Sequence, residues 1–244
     1  ATPLTAGKTW GGTVQYDATT GAQTIVTGTY NNLTLSNTSG TDTAGGNLVV
    51  NGTLTTAAGG TLNMVTYDLS VANVTNSGTI RTQSLSATPL TAGKTWGGTV
   101  QYDAAGGQAI MVGTYNNLTL SGSGAKTFSV GTTTVNGILS MEGTATTTLT
   151  GTLTYGTNAT LQYNTLTART AGAEWITPFA ATGGVIIANT GKITLNAAKV
   201  FNASVPLTIQ SGATLAMSTY LLTLNGNLIN NDGCDANCTT PACG

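Results

Sequence analysis

An internal repeat constrains this chain more than any other feature. Residues 1–17 read ATPLTAGKTWGGTVQYD, and residues 87–103 read the same, letter for letter, 86 positions on. GTYNNLTLS follows at 28–36 and again at 113–121, an offset of 85, so one residue is lost in between. NGTL at 51–54 and NGIL at 136–139 keep the offset of 85. A third copy is eroded: TAGKTW at 5–10 and 91–96 becomes TAGAEW at 170–175. The stretch KITLNAAKVFNASVPLTIQSGATL at 192–215 then echoes NLTLSGSGAKTFSVGTTTVNGIL at 117–139. A chain duplicated at such a period folds as an array whose units pack on their neighbours. The spacing places repeat 1 at 1–86, repeat 2 at 87–169 and a degenerate repeat 3 at 170–230. A Cys-containing tail occupies 231–244, and the whole is expected to form one continuous body.

Each unit is subdivided. GNLVVNGTLTT (46–56), GTLNMVTYDLSV (60–71) and GTLTYGTNATLQY (151–163) carry Leu, Val, Met or Tyr at every second position, with Thr, Ser or Asn between. That period is the mark of strands with one buried face. Gly, Asn-Gly, Gly-Gly and Ser-Gly pairs punctuate the runs. Asn-Gly often signals a hairpin. Here the alternation continues through the pair, as in TVNGILSM, which predicts a corner or bulge instead of a reversal.

Composition decides between a sandwich and a stack of coils. Thr, Asn, Ser and Gly make up about half of the chain, and aromatic residues only 6%. A sandwich of immunoglobulin type needs larger core residues and distinct strands. Small aliphatics, Thr, Asn and Gly suit like residues stacked in ladders ~4.8 Å apart. The expectation is an all-β fold, a β-solenoid (parallel β-helix) of about 12 rungs in three sequence repeats, a rod roughly 55–60 Å long.

The same composition excludes functions. Charged residues are 6% of the chain, with 7 Lys and Arg against 8 Asp and Glu, and there is no histidine. Catalytic His, His–metal sites and His-based pH switches are therefore ruled out. A net charge of −1 argues against nucleic-acid partners. No apolar stretch approaches the ~20 residues of a membrane helix, so membrane insertion is not expected. The opening ATPLTAGKTW lacks a signal-peptide pattern, so an exported chain would be read as the mature form.

The run GGTVQYD…GTYNNLTLSGSGAKTF…TVNGILSMEGT…LTGTL resembles the Gly/Thr-rich repeats of large secreted bacterial surface proteins. These are β-solenoids similar to adhesin and autotransporter-passenger rods. The tail DGCDANCTTPACG (232–244) resembles one end of a Cys-rich extracellular repeat. The resemblance implies a secreted or cell-surface rod.

Candidate sites are few. The acids are Asp17, Asp42, Asp68, Asp103, Glu142, Glu174, Asp232 and Asp235. Asp17 and Asp103 share a repeat position, which sets them ~20 Å apart, too far to act as a catalytic pair. No GxSxG elbow is present. The chain is read as not an enzyme, with no catalytic residues, no cofactor and no metal site. NNDGCDAN (230–237) reads as an Asx-rich turn, since it lacks a regular calcium-binding repeat. Thr runs such as TATTTLTGTLT (144–154) drift in spacing, against a flat ice-binding array. Asn-x-Ser/Thr triplets at Asn32, Asn37, Asn51, Asn73, Asn117, Asn158, Asn202 and Asn237 arise readily at this Thr content. Trp10, Trp96 and Trp175 recur at one repeat position, read as structural or, less directly, as a sugar-binding platform. Cys234, Cys238 and Cys243 do not match a zinc spacing and read as a disulfide-bearing tail in an oxidising compartment, with one thiol left over.

Solenoid ends expose unpaired backbone groups and normally need caps. No capping helix is legible here. The segment Ala1, Thr2, Pro3 and Leu4 opens an unmodified repeat, so it and the three cysteines are candidate assembly residues. The expected function is an extracellular structural protein that self-assembles head to tail into a homopolymeric filament. The alternative is a monomeric adhesin or glycan-binding rod of a bacterial cell surface, with surface glycans as partners.

Overall fold

The computed structural model describes residues 4–231. Every strand pairing in it is parallel, and no helix occurs among these residues. The chain is a β-solenoid, as the alternation predicted. Its longest continuous sheet takes one strand from each turn, from Thr24–Ile25 to Leu228–Asn230. Eleven strands lie on that path, so there are about eleven turns against the twelve expected. At ~4.8 Å per turn the rod is about 50–55 Å long.

Most turns carry strands on three faces. In the first unit, long strands cover the first and second faces together: Lys8–Tyr16, Gly28–Leu35, Leu48–Thr56 and Leu69–Asn76. Short strands such as Thr41–Ala44, Thr61–Asn63 and Thr79–Thr82 cover the third. The long strands bend at a bulge. Trp10 pairs with Tyr30 but Thr13 with Asn32, so Gly11-Gly12 adds one residue to the corner. Asn51-Gly52 does the same, since Tyr30 pairs with Val50 while Leu33 pairs with Leu54. The Asn-Gly pairs are thus corners, not reversals. A Cβ on Gly52 would lie 2.4 Å from the Asn32 side-chain oxygen, so only glycine fits. That oxygen in turn accepts the Thr53 N–H at 2.9 Å, and Asn117 does the same for Ile138 at 3.0 Å. Asparagine therefore satisfies a donor that the bulge removes from the ladder.

Inward side chains stack in columns. One runs Ile80, Val100, Leu118, Leu139, Leu161, Val185, Leu207, Leu228, each in register with the next. All but Leu228 are buried. Parallel pairing puts the same atom type above itself at van der Waals distance, which is why period-2 aliphatics suffice for a core.

The units are not stacked in one frame. Between Thr79–Thr82 and Lys94–Tyr102 the chain inserts a segment whose Leu90 bridges Leu69 on the first face. Lys94–Tyr102, identical in sequence to Lys8–Tyr16, is pushed one face onward. Its second half, Thr99–Tyr102, pairs with Thr79–Thr82 on the third face. In the first unit the same residues, Thr13–Tyr16, lie on the second.

Candidate functional site: the two ends of the stack

The repeated segment gives an internal control, because identical residues occupy two environments. Leu4 is 37% exposed, whereas its twin Leu90 is 1% exposed against Leu69. Trp10 is half-buried and stacked on Tyr30, with ring centroids 4.6 Å apart; Trp96 is fully buried. Val14 is half-buried and Val100 fully buried. Lys8 is exposed, while Lys94 donates to the Ala72 carbonyl at 2.6 Å. Asp17 is exposed, while Asp103 pairs with Arg81 and accepts from Gln83 at 3.2 Å.

Glycine shows the difference most sharply. A Cβ on Gly98 would sit 2.1 Å from the Gly78 carbonyl oxygen, and one on Gly97 would sit 2.7 Å from that of Asn76. Nothing lies within 4 Å of the same position on Gly11 or Gly12. In the second unit the glycine pair lets a corner of the preceding turn pass close beneath. In the first unit the same pair faces open space among the described residues, and no described strand pairs with the outer edge of Lys8–Tyr16.

The other end is apolar. The last described turn exposes Met217, Tyr220, Leu221, Leu228 and Ile229, with Leu221 at 69% and Leu228 at 49%. Leu228 is the last described member of the buried aliphatic column.

The tryptophans do not form a shared platform. Trp96 and Trp175 are buried at 0% and 1% exposure. Trp175 also leaves the strand register: it lies in a loop after the short strand Arg169–Thr170. Glu174, where the other units have Thr, holds that loop inside. Its carboxylate accepts from Tyr163 and from the Gly172 N–H, both at 2.7 Å, and from Thr147. Ala1, Thr2, Pro3, Cys234, Cys238 and Cys243 lie outside the described residues, as do Asp232 and Asp235.

Sequence reading missed the buried charges. Asp42, Lys126, Glu174 and Lys199 are all 3% exposed or less. Lys126 lies one turn above Gln108 and donates to the Ala104 carbonyl at 2.9 Å, the Gly106 carbonyl at 3.1 Å and the Gln108 side-chain oxygen at 2.7 Å. It pins the Asp103–Gln108 loop from within. Asp42 lies one turn above Gln23 and accepts its N–H at 3.0 Å. Lys199 donates to the Trp175 carbonyl at 2.6 Å. The AKTF and AKVF runs place both lysines at inward positions of the alternation, and that was the available signal. Of the remaining acids, Asp68 accepts from Ser84 at 2.6 Å and Glu142 from Ser140 at 2.9 Å.

A groove of about 390 Å³ runs along the side of the rod, lined by Asn47, Asp68, Leu69, Ser70, Leu90 and Thr91 among others. No helix among the described residues is long and apolar enough to cross a membrane.

These features define a parallel β-solenoid in which, among the described residues, the first strand has one unpaired edge and the last turn is apolar. No protein-family model, curated protein or solved structure matches the chain.

Proposed function

We propose that this is an extracellular structural protein whose copies stack head to tail into a filament. The observation that carries the reading is the pair of identical segments. Residues 4–17 leave Leu4 and Gly12 exposed and Trp10 and Val14 half-buried, and the same residue types at 90–100 bury those groups against a preceding turn. A surface that is covered wherever a turn lies beneath it is shaped to accept one. The apolar last turn offers a matching surface. A contact between two different ends of one molecule is heterologous, does not close, and grows without limit. Edge pairing and burial of aliphatics drive it, with no substrate chemistry. The resemblance to secreted surface rods supports the extracellular setting, and a disulfide-bearing tail would seal the joint.

Electron microscopy combined with light scattering tests this. The expected result is unbranched filaments with an axial repeat of about 50–55 Å, one rod length. Monodisperse monomers across a wide concentration range would overturn it. The side groove favours one alternative, an adhesin rod that holds a glycan. Saturable binding on a glycan array by a strictly monomeric protein, lost in D68A, would replace the filament with that reading.

A further inference from the structure

The internal junction shows how these repeated residues sit on a preceding turn. Resting on the filament reading, we infer that Val14 of one copy seats on Leu228 of the next copy, continuing the aliphatic column of the third face and turning each subunit one face onward.

Two placements of Lys8–Tyr16 on the last turn keep parallel pairing. In the direct one, each face continues on itself. Thr13–Tyr16, a second-face segment in its own unit, would then lie over the second-face strand Leu222–Thr223. In the rotated one, Thr13–Tyr16 lies over the third-face strand Leu228–Asn230. The chain itself has chosen once. Where these same nine residues follow a complete unit, at Lys94–Tyr102, their second half sits on the third face, with Val100 over Ile80 and Gln101 over Arg81. Leu228 and Ile229 occupy the columns of Ile80 and Arg81, seven turns further along. Val14 and Gln15 are the twins of Val100 and Gln101.

The rest of the surface agrees. Gly97-Gly98 rides over the Asn76-Ser77-Gly78 corner, which leads into the Thr79–Thr82 strand. In the rotated joint Gly11-Gly12 rides over Asn225-Gly226-Asn227, the bend that leads into Leu228–Asn230. Leu4 then covers the first face near Leu215 and Met217, as Leu90 covers Leu69. Trp10 comes over the second face by Leu222, as Trp96 comes over that face inside the molecule. The half-exposed Leu4, Trp10 and Val14 and the exposed Met217 and Leu228 are buried in one step. The direct joint leaves Leu228 uncovered by Val14.

A helical reconstruction of the native filaments decides this. The expected map shows Val14 stacked on Leu228, and a subunit rotation near one third of a turn added to the natural twist of the sheets. A map with Val14 over Leu222–Thr223 and no such step overturns this register while the filament stands. Absence of any polymer overturns both. With Cys234, Cys238 and Cys243 replaced by Ser, Q15C with I229C gives a second readout: neighbouring strands bring the two positions within disulfide reach, so oxidised filaments run as a covalent ladder in denaturing gels. A ladder from Q15C with T223C, and none from the first pair, overturns the register.

Discussion

The hydroxyls of Tyr102 and Tyr115 lie 3.3 Å apart inside the rod and close a ring of hydrogen bonds on the backbone of one residue, Met111. The Met111 N–H donates to Tyr102 at 3.3 Å, Tyr102 donates to Tyr115, and Tyr115 donates to the Met111 carbonyl at 2.6 Å. The first unit repeats the ring. The Val26 N–H donates to Tyr16 at 3.0 Å, Tyr16 lies 3.4 Å from Tyr30, and Tyr30 donates to the Val26 carbonyl. Both rings satisfy the N–H and C=O of a residue that the sheet ladder leaves at a corner, where an unpaired buried group is costly.

Breaking one ring should therefore be felt. Y115F leaves the Met111 carbonyl and the Tyr102 hydroxyl short of partners, and is expected to cost about 1–3 kcal/mol in denaturant unfolding. Y30F should cost a similar amount. The two rings are several turns apart, so the double variant should be additive within about 0.5 kcal/mol. A neutral Y115F would show that the ring contributes nothing.

Alkaline pH should act in two opposite steps. Burial pulls the Lys126 ammonium down to about 8 from 10.5, partly opposed by the Asp103 charge. Below that point the folded chain carries a disfavoured charge. As pH rises toward 10.5 the folded state sheds this proton before the unfolded state does, so stability is gained. Tyrosine works the other way. Burial pushes Tyr102 up to about 12 from 10.0, and pushes Tyr115, Tyr155 and Tyr163 well above 10.0, with the Glu174 charge adding to the last two. These contributions are intact below pH 10 and are lost as pH climbs through 12. Urea midpoints should rise from about pH 8, turn over near pH 10 and then fall. A steady decline from pH 8 would contradict the lysine step, and full tyrosinate absorbance in folded protein at pH 10.5 would contradict the tyrosine step.

Alanine at twin glycines separates folding from assembly. G98A drives a Cβ into the Gly78 carbonyl and should cost more than about 2 kcal/mol, read as a lowered thermal midpoint. G12A meets no atom within 4 Å, and the fold should lose less than about 0.5 kcal/mol. If a neighbouring copy's corner passes over Gly12, G12A should nonetheless abolish filaments. Equal melting losses for the two variants would refute the contrast.

Lys126 is expected to be structural. K126M keeps much of the side-chain volume but leaves the Ala104 and Gly106 carbonyls and the Gln108 side chain without their shared donor. The loss should be about 2–4 kcal/mol near neutral pH. Hydrogen exchange should show it first as faster exchange in the 103–108 loop. A K126M variant as stable as the parent would mean that the buried charge confers no net stability.

The alternation in GNLVVNGTLTT and the run-through at Asn51-Gly52 and Asn136-Gly137 were enough to read parallel coils with bulged corners, because both are settled by bonds and clashes within a few residues. The repeat made a stacked array the natural outcome for the same reason. Where Trp175 would sit was not legible. TAGAEW looks like TAGKTW, but one Glu bonded to Tyr163, Thr147 and its own loop's Gly172 draws the loop inward, and Tyr163 and Thr147 come from earlier strands. The buried lysines were legible only as inward positions of AKTF and AKVF; that they stay inside rests on carbonyls from neighbouring turns, which the sequence does not display.

The clearest division is between Lys8–Tyr16 and Lys94–Tyr102. By itself the sequence determined that both would be strands, broken at Gly-Gly and paired to GTYNNLTL, because local alternation and corner sterics are identical in the two copies. Only the tertiary structure decided that one would be exposed and the other buried, and that they would lie on different faces. Burial depends on the turn beneath, some twenty residues away in the chain, and on the Leu90 segment that moves the frame one face onward.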